Sequence, residues 1–228
     1  MLERELAPPL RGSALAAAER RLEAGEGSAV GDGEQDCLLY VFGGSGAITL
    51  DGRDSDLGRG TAALVLAGED AVLEAGSSGL AALLVTVAPI ADRHAPMGRR
   101  ELIAMLDGAG VERASGARSF QILLGPDSGS TRATLFAGFI PPGRAPWHYH
   151  LYDEIVWVPE GPGRLHLAEG TEELGAGSAF RLRPRQVHIV ENLSADREMT
   201  VIGVFTPAGS PSAAYLTPDV AAEYRFSG

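Results

Sequence analysis

Apolar residues in this chain occur in short runs that are separated by turn-forming residues. The longest run covers Leu80–Ala91 and includes Leu83–Pro89, and another run covers Val201–Pro207. Runs of this length, bounded by glycine, proline and short polar side chains, are typical of β-strands. The 30 glycines and 14 prolines suit many short strands joined by tight turns. The pattern predicts an all-β fold, and even the longest run is too short to span a membrane.

The chain also repeats its own pattern after a shift of 117 positions. Under this shift Tyr40–Leu50 aligns with Trp157–Leu167, Leu57–Gly60 with Leu174–Gly177 and, with a one-residue slip, Leu83–Pro89 with Val201–Pro207. The aligned glycines mark tight turns, in which a positive φ or a close backbone approach is needed. A repeat of this kind predicts two similar β units in one chain.

The repeat and the turn residues divide the chain into five segments. These are an N-terminal arm (1–33, with a short helix or strand over Ala14–Glu23), a first unit (34–90), a linker (91–117), a second unit (118–207) and a tail (208–228). The linker predicts a helix over Arg99–Leu106, ended by Gly108 and Gly110. The tail predicts a short helix near Asp219–Tyr224.

His148, His150, Glu154 and His188 have the chemistry and the spacing of a metal site. Two histidines separated by one residue point to the same face of a β-strand, and Glu154 follows at an even spacing. His188 can arrive from a neighbouring strand. Three imidazoles and one carboxylate suit a single divalent Fe, Mn, Ni, Co or Zn ion, and leave positions open for substrate if the ion is six-coordinate. The sequence therefore predicts these four residues as metal ligands.

The glycines around these residues extend the motif. The pattern Gly143-x4-His148-x-His150-x3-Glu154-x6-Gly161, followed by Gly175-x-Gly177, Pro184 and His188-x3-Asn192, closely resembles the two motifs of the cupin superfamily. The resemblance covers about Gln121 to Pro207 and implies a small antiparallel β-barrel, a jelly roll, with a metal at its centre. Together with the repeat it predicts a bicupin: two tandem cupin-type antiparallel β-barrels with a short helical linker. One departure is the turn Pro184–Val187, where cupins usually carry a glycine.

The first unit lacks the metal-ligating residues. At the positions equivalent to the four ligands it has Gly31, Gly33, Cys37 and Ala71. A single cysteine does not make a metal site. We therefore expect one metal per chain and a structural role for the first unit.

Three further side chains are candidates for the substrate pocket. Tyr152 shares the parity of the ligands if the strand continues, whereas Trp147 and Tyr149 should point out of the barrel. Arg181 and Arg183 stand where the first unit has leucines. They either line the mouth of the pocket and bind a carboxylate or phosphate, or face solvent and acidic side chains. These alternatives stay open at the level of sequence.

Composition and charge narrow the classes of partner. The formal net charge of −11 argues against nucleic acid, which requires a basic face. The one cysteine excludes an internal disulfide and suits the cytosol, and no signal peptide pattern is evident. We expect a cytoplasmic protein with a small-molecule substrate and without membrane or nucleic-acid partners. The cupin resemblance implies a homodimer.

Two functional hypotheses from different classes follow. Metal-bearing cupins include dioxygenases, decarboxylases, isomerases, lyases and hydrolases, so the resemblance leaves the reaction open. The first hypothesis is a metal-dependent enzyme for a small, oxygen-rich, anionic metabolite, with dioxygenase chemistry first and isomerase or lyase chemistry second. The alternative is a non-catalytic cupin whose metal holds a sensed metabolite or braces the barrel. An enzyme needs open coordination positions, whereas a structural metal has all of them filled by protein.

Overall fold

The computed structural model describes residues 1–31, 33–95, 97–114 and 117–216. These residues form antiparallel sheets and one short 3-10 helix, Pro126–Ser128, so the predicted all-β class is confirmed. No helix in the described ranges is long and apolar enough to cross a membrane. The helix predicted near Asp219–Tyr224 falls outside the described residues.

The first half forms one eight-stranded sheet that folds over on itself. Its strands are β1 (Leu2–Ala7), β2 (Leu15–Leu22), β3 (Gly27–Val30), β4 (Asp36–Leu50), β5 (Arg53–Gly58), β6 (Thr61–Val65), β7 (Ala71–Val87) and β8 (Ile103–Met105). The long strands β4 and β7 pair along their whole length, with register shifts around Gly44. Gly44 has a φ of 72°, and a Cβ there would overlap the carbonyl of Gly79. Glycine at this point therefore allows both strands to bend, so that each strand contributes to both layers of the folded sheet.

Two predicted segments differ from the structure. The proposed arm is part of the sheet, since β1 pairs with β2 and β2 pairs with β7, and β2 confirms the strand alternative for Ala14–Glu23. Leu15, Ala17 and Glu19 are buried at every second position, which fits the period of a strand rather than a free arm. The helix predicted over Arg99–Leu106 is wrong: β8 occupies this segment and pairs with β6. The open edge of β6 provides hydrogen-bond partners that outweigh the local preference for a helix.

The second half forms two six-stranded sheets. Its strands are β9 (Glu112–Arg113), β10 (Ser119–Leu124), β11 (Thr134–Ile140), β12 (Gly143–Arg144), β13 (His148–His150), β14 (Asp153–Val158), β15 (Gly163–Leu167), β16 (Gly170–Leu174), β17 (Ser178–Leu182), β18 (His188–Asn192), β19 (Met199–Thr206) and β20 (Ala214–Leu216). One sheet has the order β17-β14-β19-β11-β10-β9. The other has the order β16-β15-β18-β13-β20, with β12 also paired to β18. β10 pairs with β11 and β11 with β19, as β1 pairs with β2 and β2 with β7 in the first half.

The sheet that contains β14 is buried on both faces. Ile155 and Trp157 point toward the first half and belong to a core cluster that includes residues of both halves. Val156 and Val158 point the other way, into the interior of the second half. Trp157 also donates a hydrogen bond from Nε1 to Oε1 of Glu19 on β2, at 3.1 Å. Alternate residues of one strand therefore serve the contact between the halves and the interior of the second half.

A buried ion pair joins the two halves at another point. Nη1 of Arg132 lies 2.9 Å from Oδ1 of Asp36, and both side chains are almost fully buried. The same Oδ1 also accepts a hydrogen bond from the backbone N–H of Ala67, at 2.9 Å. Because each charge is removed from water, each depends on the other for compensation.

Candidate metal centre

His148, His150, Glu154 and His188 line one cavity in the interior of the second half. The two histidines of β13 face the cavity together, β14 supplies Glu154, and β18 places His188 directly opposite His148 in the strand register. The ring centroid of His188 lies 4.3 Å from that of His148 and 5.0 Å from that of His150. Oε2 of Glu154 lies 2.8 Å from Nε2 of His150. The structure thus gathers all four side chains, each of them buried.

The three imidazole rings are held in the same way. Nδ1 of His148 lies 2.9 Å from the carbonyl oxygen of Pro146, and Nδ1 of His188 lies 2.9 Å from that of Gln186. Nδ1 of His150 lies 3.2 Å from a carbonyl oxygen, that of Tyr152. A carbonyl only accepts, so in each neutral ring Nδ1 carries the proton and Nε2 keeps its lone pair. This second hydrogen bond is how proteins orient metal-binding histidines.

The protonation of these rings suits metal binding. Burial lowers the pKa of His148 to about 2, with the nearby charge of Arg118 as a further cause. Burial likewise lowers the pKa of His188 to about 4. Both rings are therefore neutral near pH 7, and the neutral ring is the form that binds a metal.

The donor set fits a divalent transition metal. In the described ranges, no three His, Cys, Asp or Glu side chains have their donor atoms close enough together to form a ready-made metal site. Nε2 of His150 is buried and makes no well-directed hydrogen bond, although Glu154 is adjacent. An unsatisfied buried nitrogen is costly unless a further group fills its place. Three imidazoles and one carboxylate are the ligands that such a group, a divalent Fe, Mn, Ni, Co or Zn ion, accepts.

The rest of the cavity wall is mostly apolar. The cavity has a volume of about 90 Å³ and its apolar lining includes Phe136, Ile140, Val156, Leu182 and Val201. Tyr152 also lies in the wall, stacked on the ring of His150 and on Phe205, each with a centroid distance of 4.0 Å. Burial raises the pKa of Tyr152 above its ordinary value, which keeps the phenol protonated. The cavity therefore has room for a few ligand atoms beside the four donors.

Sequence reasoning missed Arg118, which also lines the cavity. Its Nη1 lies 3.2 Å from Nε2 of His148. Arg118 directly precedes β10, and it shares strand parity with Phe120, another residue of the wall. That parity is the one feature of the sequence that indicates Arg118 as a residue of the cavity wall. It is weak, because the motif that identifies the other residues begins only at Gly143.

Arg181 and Arg183 do not line the cavity, which corrects their assignment as pocket candidates. Arg181 pairs in register with Ile155, so its side chain lies on the face toward the first half. It donates to Oδ2 of Asp153 at 3.2 Å, to the carbonyl of Leu15 at 2.9 Å and to Ser13. Arg183 is exposed. The role of Arg181 is to join the two halves.

The outer face of the second sheet carries other side chains of the motif region. His166 lies beside Glu191, with 2.7 Å between Nε2 and Oε2, and its ring packs edge-on against Trp147. Tyr149 stacks on Tyr215 with a centroid distance of 5.5 Å. These residues alternate with those that face the cavity, so they lie outside it.

The turn before His188 keeps its geometry without the usual glycine. Arg185 has a φ of 67°, in the left-handed region, and its backbone N–H donates to the carbonyl of His150 at 2.7 Å. We expect Arg185→Gly to raise the free energy of unfolding by about 0.5–1 kcal/mol, because glycine adopts this φ without a steric cost. Urea unfolding measures the change. Arg183→Gly, which lacks this φ, is the control and should not stabilise the protein.

Because Gly203 has no side chain, Glu154 and Phe136 can occupy the space next to its backbone. A Cβ at this position would lie 2.9 Å from Oε1 of Glu154 and 2.5 Å from Cζ of Phe136. We expect Gly203→Ala to weaken metal binding by about tenfold, because it displaces the carboxylate without changing a ligand. Gly138→Ala is the matched control: its Cβ would contact Val201 and Phe136 but not Glu154. Metal titration of both variants measures the difference, and equal affinities would contradict this role of Gly203.

Comparisons with known proteins agree with this fold. Residues 137–205 match the family model of the cupin domain, and this segment contains all four candidate ligands. No curated protein sequence is detectably similar to the chain.

Solved structures give the same picture over more of the chain. A mutant of Bacillus subtilis oxalate decarboxylase is 16% identical, with a TM-score of 0.75 over 98% of this chain and 77% of that one. The Cupin 2 conserved barrel domain protein from Leptotrichia buccalis is 14% identical, with a TM-score of 0.63 over 90% of this chain and 88% of that one. At these identities the likeness shows that the chain has a cupin fold.

Proposed function

We propose that this chain is a bicupin that holds one catalytic divalent metal in its second half. The metal ligands would be His148, His150, Glu154 and His188. The match of residues 137–205 to the cupin domain supports the second barrel. The sequence repeat and the shared order of strand pairing support a first barrel built in the same way.

The observation that carries the proposal is the common orientation of the three histidines. Each has its Nδ1 directed at a backbone carbonyl, so that Nε2 is on the side of the cavity, where that of His148 lies near Arg118 and that of His150 near Glu154. When bound, a divalent metal supplies Lewis-acid polarisation of a carbonyl or enolate oxygen. Four protein ligands leave two positions of a six-coordinate ion for substrate and water. Open positions favour catalysis over a structural metal.

The lining of the cavity supports a small substrate. The cavity is small and its lining is mostly apolar, which strengthens polar interactions within it. Tyr152 packs on His150 and holds that ring in place. The substrate is a small, oxygen-rich, anionic metabolite. Oxidation of an enol or phenol by dioxygen is the first reaction class, and isomerase or lyase chemistry is the second.

The solved neighbours suggest manganese as one metal to test. One of these structures was determined in work on the Mn(II) centres of Bacillus subtilis oxalate decarboxylase. Because that protein has a fold like this one, Mn(II) is the first metal of the predicted set to test, before Fe(II), Ni(II), Co(II) and Zn(II). A homodimer and a cytoplasmic location stay predictions from the sequence.

The test combines metal analysis with turnover. The protein is purified, its metal content is measured, and each metal is restored before assays with small enols, phenols and hydroxy acids under air and under nitrogen. The proposal expects turnover with at least one metal, and its loss in His148→Ala. Binding of a metabolite without turnover would support the second candidate, a sensor. A protein that binds none of the metals would contradict both.

A further inference from the structure

A second cavity, the junction groove, lies between the two halves. Its first-half wall comes mainly from β1, β2 and β4, and its second-half wall comes from the end of β14 and from the turns after β14 and β16. The groove has a volume of about 660 Å³, which is in the range of small-molecule sites. The described residues that line it are different from those that line the metal cavity. A ligand in this groove would therefore not contact the four metal-site side chains.

The charged side chains of the junction groove carry an excess of positive charge. Arg4, Arg21 and Arg59 line it, together with the carboxylates of Glu19 and Glu160. Among the described residues, the lining thus has one positive charge in excess, although the chain as a whole has a formal net charge of −11. A locally positive groove on an acidic protein favours a small anion as its ligand.

The buried carboxylate of Glu19 is already occupied by two other side chains. Its Oε1 accepts hydrogen bonds from Nη2 of Arg4 at 2.7 Å and from Nε1 of Trp157 at 3.1 Å, and its Oε2 accepts one from Nε of Arg4 at 3.3 Å. Nη2 of Arg21 lies 3.7 Å from the same Oε2, which is beyond hydrogen-bond distance. Arg21 is therefore left without a hydrogen-bonded carboxylate among the described residues.

Arg21 and Arg59 each keep donors for a further anion. Cζ of Arg21 lies 5.2 Å from the ring centroid of Phe42, and contact with a ring satisfies at most part of the five N–H donors of an arginine. About half of the Arg21 side chain is exposed. Nη2 of Arg59 lies 3.4 Å from Oε1 of Glu160, and both of these side chains are exposed. Because an exposed ion pair contributes little, a better placed carboxylate can replace Glu160.

We propose that the junction groove binds a small dicarboxylate, with one carboxylate on Arg21 and the other on Arg59. The guanidinium suits a carboxylate because it donates two parallel hydrogen bonds. The carbon chain of such a ligand would lie against the apolar surface of Phe42 and Pro159, which also line the groove. The proposal goes beyond the proposed function and does not depend on it, since it requires no metal.

The test uses succinate as the probe and Trp157 as the reporter. Trp157 lines the groove, and Trp147→Phe leaves it as the one tryptophan of the chain. Succinate, butyrate and succinamide are titrated into the full chain carrying Trp147→Phe, at constant ionic strength, and binding is followed by fluorescence and by calorimetry. Butyrate has one carboxylate and succinamide has none.

Five variants of this protein are compared with it. Arg21→Gln and Arg59→Gln each remove one guanidinium. Arg53→Gln is their matched control, because Arg53 is exposed on β5 and outside the groove. Glu160→Gln releases Arg59 from its carboxylate. His188→Ala removes a ligand of the proposed metal.

We expect succinate to change the tryptophan fluorescence in a saturable way, and succinamide to have no effect. Succinate should bind about tenfold more weakly to Arg21→Gln and to Arg59→Gln, and butyrate about tenfold more weakly to the parent, because each case lacks one charge-assisted pair. Glu160→Gln should bind succinate about threefold more tightly, because an exposed carboxylate no longer competes for Arg59. Arg53→Gln and His188→Ala should match the parent.

Four results would overturn the proposal. The first is a succinate titration without a change in tryptophan fluorescence or in heat. The second is an equal succinate affinity of the parent, Arg21→Gln and Arg59→Gln, and the third is butyrate or succinamide binding as tightly as succinate. The fourth is a loss of succinate binding in His188→Ala, which would place the ligand at the metal site. Circular dichroism establishes that each variant is folded. If Arg21→Gln does not fold, an unchanged succinate affinity in both Arg59→Gln and Glu160→Gln would overturn the proposal.

Discussion

Replacing His188 by alanine is expected to lower the bound metal from about one ion per chain to nearly none, while the chain stays folded. His188 is the one ligand from β18, and it faces both histidines of β13. Loss of a supporting residue alone weakens metal binding by about 10–100-fold, and loss of a ligand should exceed that. Two large apolar core clusters among the described residues contribute no buried side chain to the cavity wall, so we expect the fold not to depend on the metal. Elemental analysis after dialysis measures the metal, and circular dichroism the fold.

The control for this variant lies in the first half. Ala71 begins β7 at the position that corresponds to His188, and Ala71→Ser should leave the metal content unchanged. A drop in metal content with Ala71→Ser would show that the first half takes part in metal binding. Unchanged metal content in His188→Ala would show that the ligand set is different from the one proposed.

Replacing Asp36 by alanine is expected to lower the free energy of unfolding by about 3–5 kcal/mol. Arg132 would keep its charge at the contact between the halves, where it is nearly inaccessible to water and would lose its carboxylate partner. The backbone N–H of Ala67 would lose its acceptor as well. Urea unfolding measures the change, and a marginally stable domain has few kcal/mol to lose.

Two controls separate the buried charge from other effects. Glu160→Ala breaks the exposed pair of Glu160 with Arg59 and should change the free energy of unfolding by less than about 1 kcal/mol. The double variant Asp36→Ala with Arg132→Met removes both charges, and should recover much of the stability that Asp36→Ala loses. A double variant as unstable as the single one would contradict the explanation by an uncompensated charge.

Much of the second half could be predicted because its signals are local. The alternation of His148, Tyr149 and His150 specifies which side chains share a face, and the structure gathers the two histidines with Glu154 and His188. Tyr152 also lines the cavity, but the continuous strand assumed for it is absent, because β13 ends at His150 and β14 begins at Asp153. The prediction for the two histidines succeeds because the period of two in a strand depends on the backbone alone.

The failures concern residues whose positions depend on distant pairing. Arg181 could face either way, and only its register opposite Ile155 directs it toward the first half. The segment Leu2–Ala7 is mostly exposed and its sequence lacks a strong apolar alternation, so its pairing with β2 was not predicted. Arg118 enters the cavity because β10 lies beside β11 in the finished sheet. A single sequence does not specify these pairings, since they form between segments far apart along the chain.

The strand β14 has a consequence for how such a protein can change over evolutionary time. Glu154 and Ile155 are neighbours in sequence, yet they point into different compartments. A substitution in the first half that repacks Ile155 or Trp157 shifts the backbone that carries the carboxylate. Selection can therefore adjust the reactivity of the site through residues that do not contact a metal ligand. Substitutions in the first half can be selected in this way, although that half lacks histidines and a carboxylate at the equivalent positions.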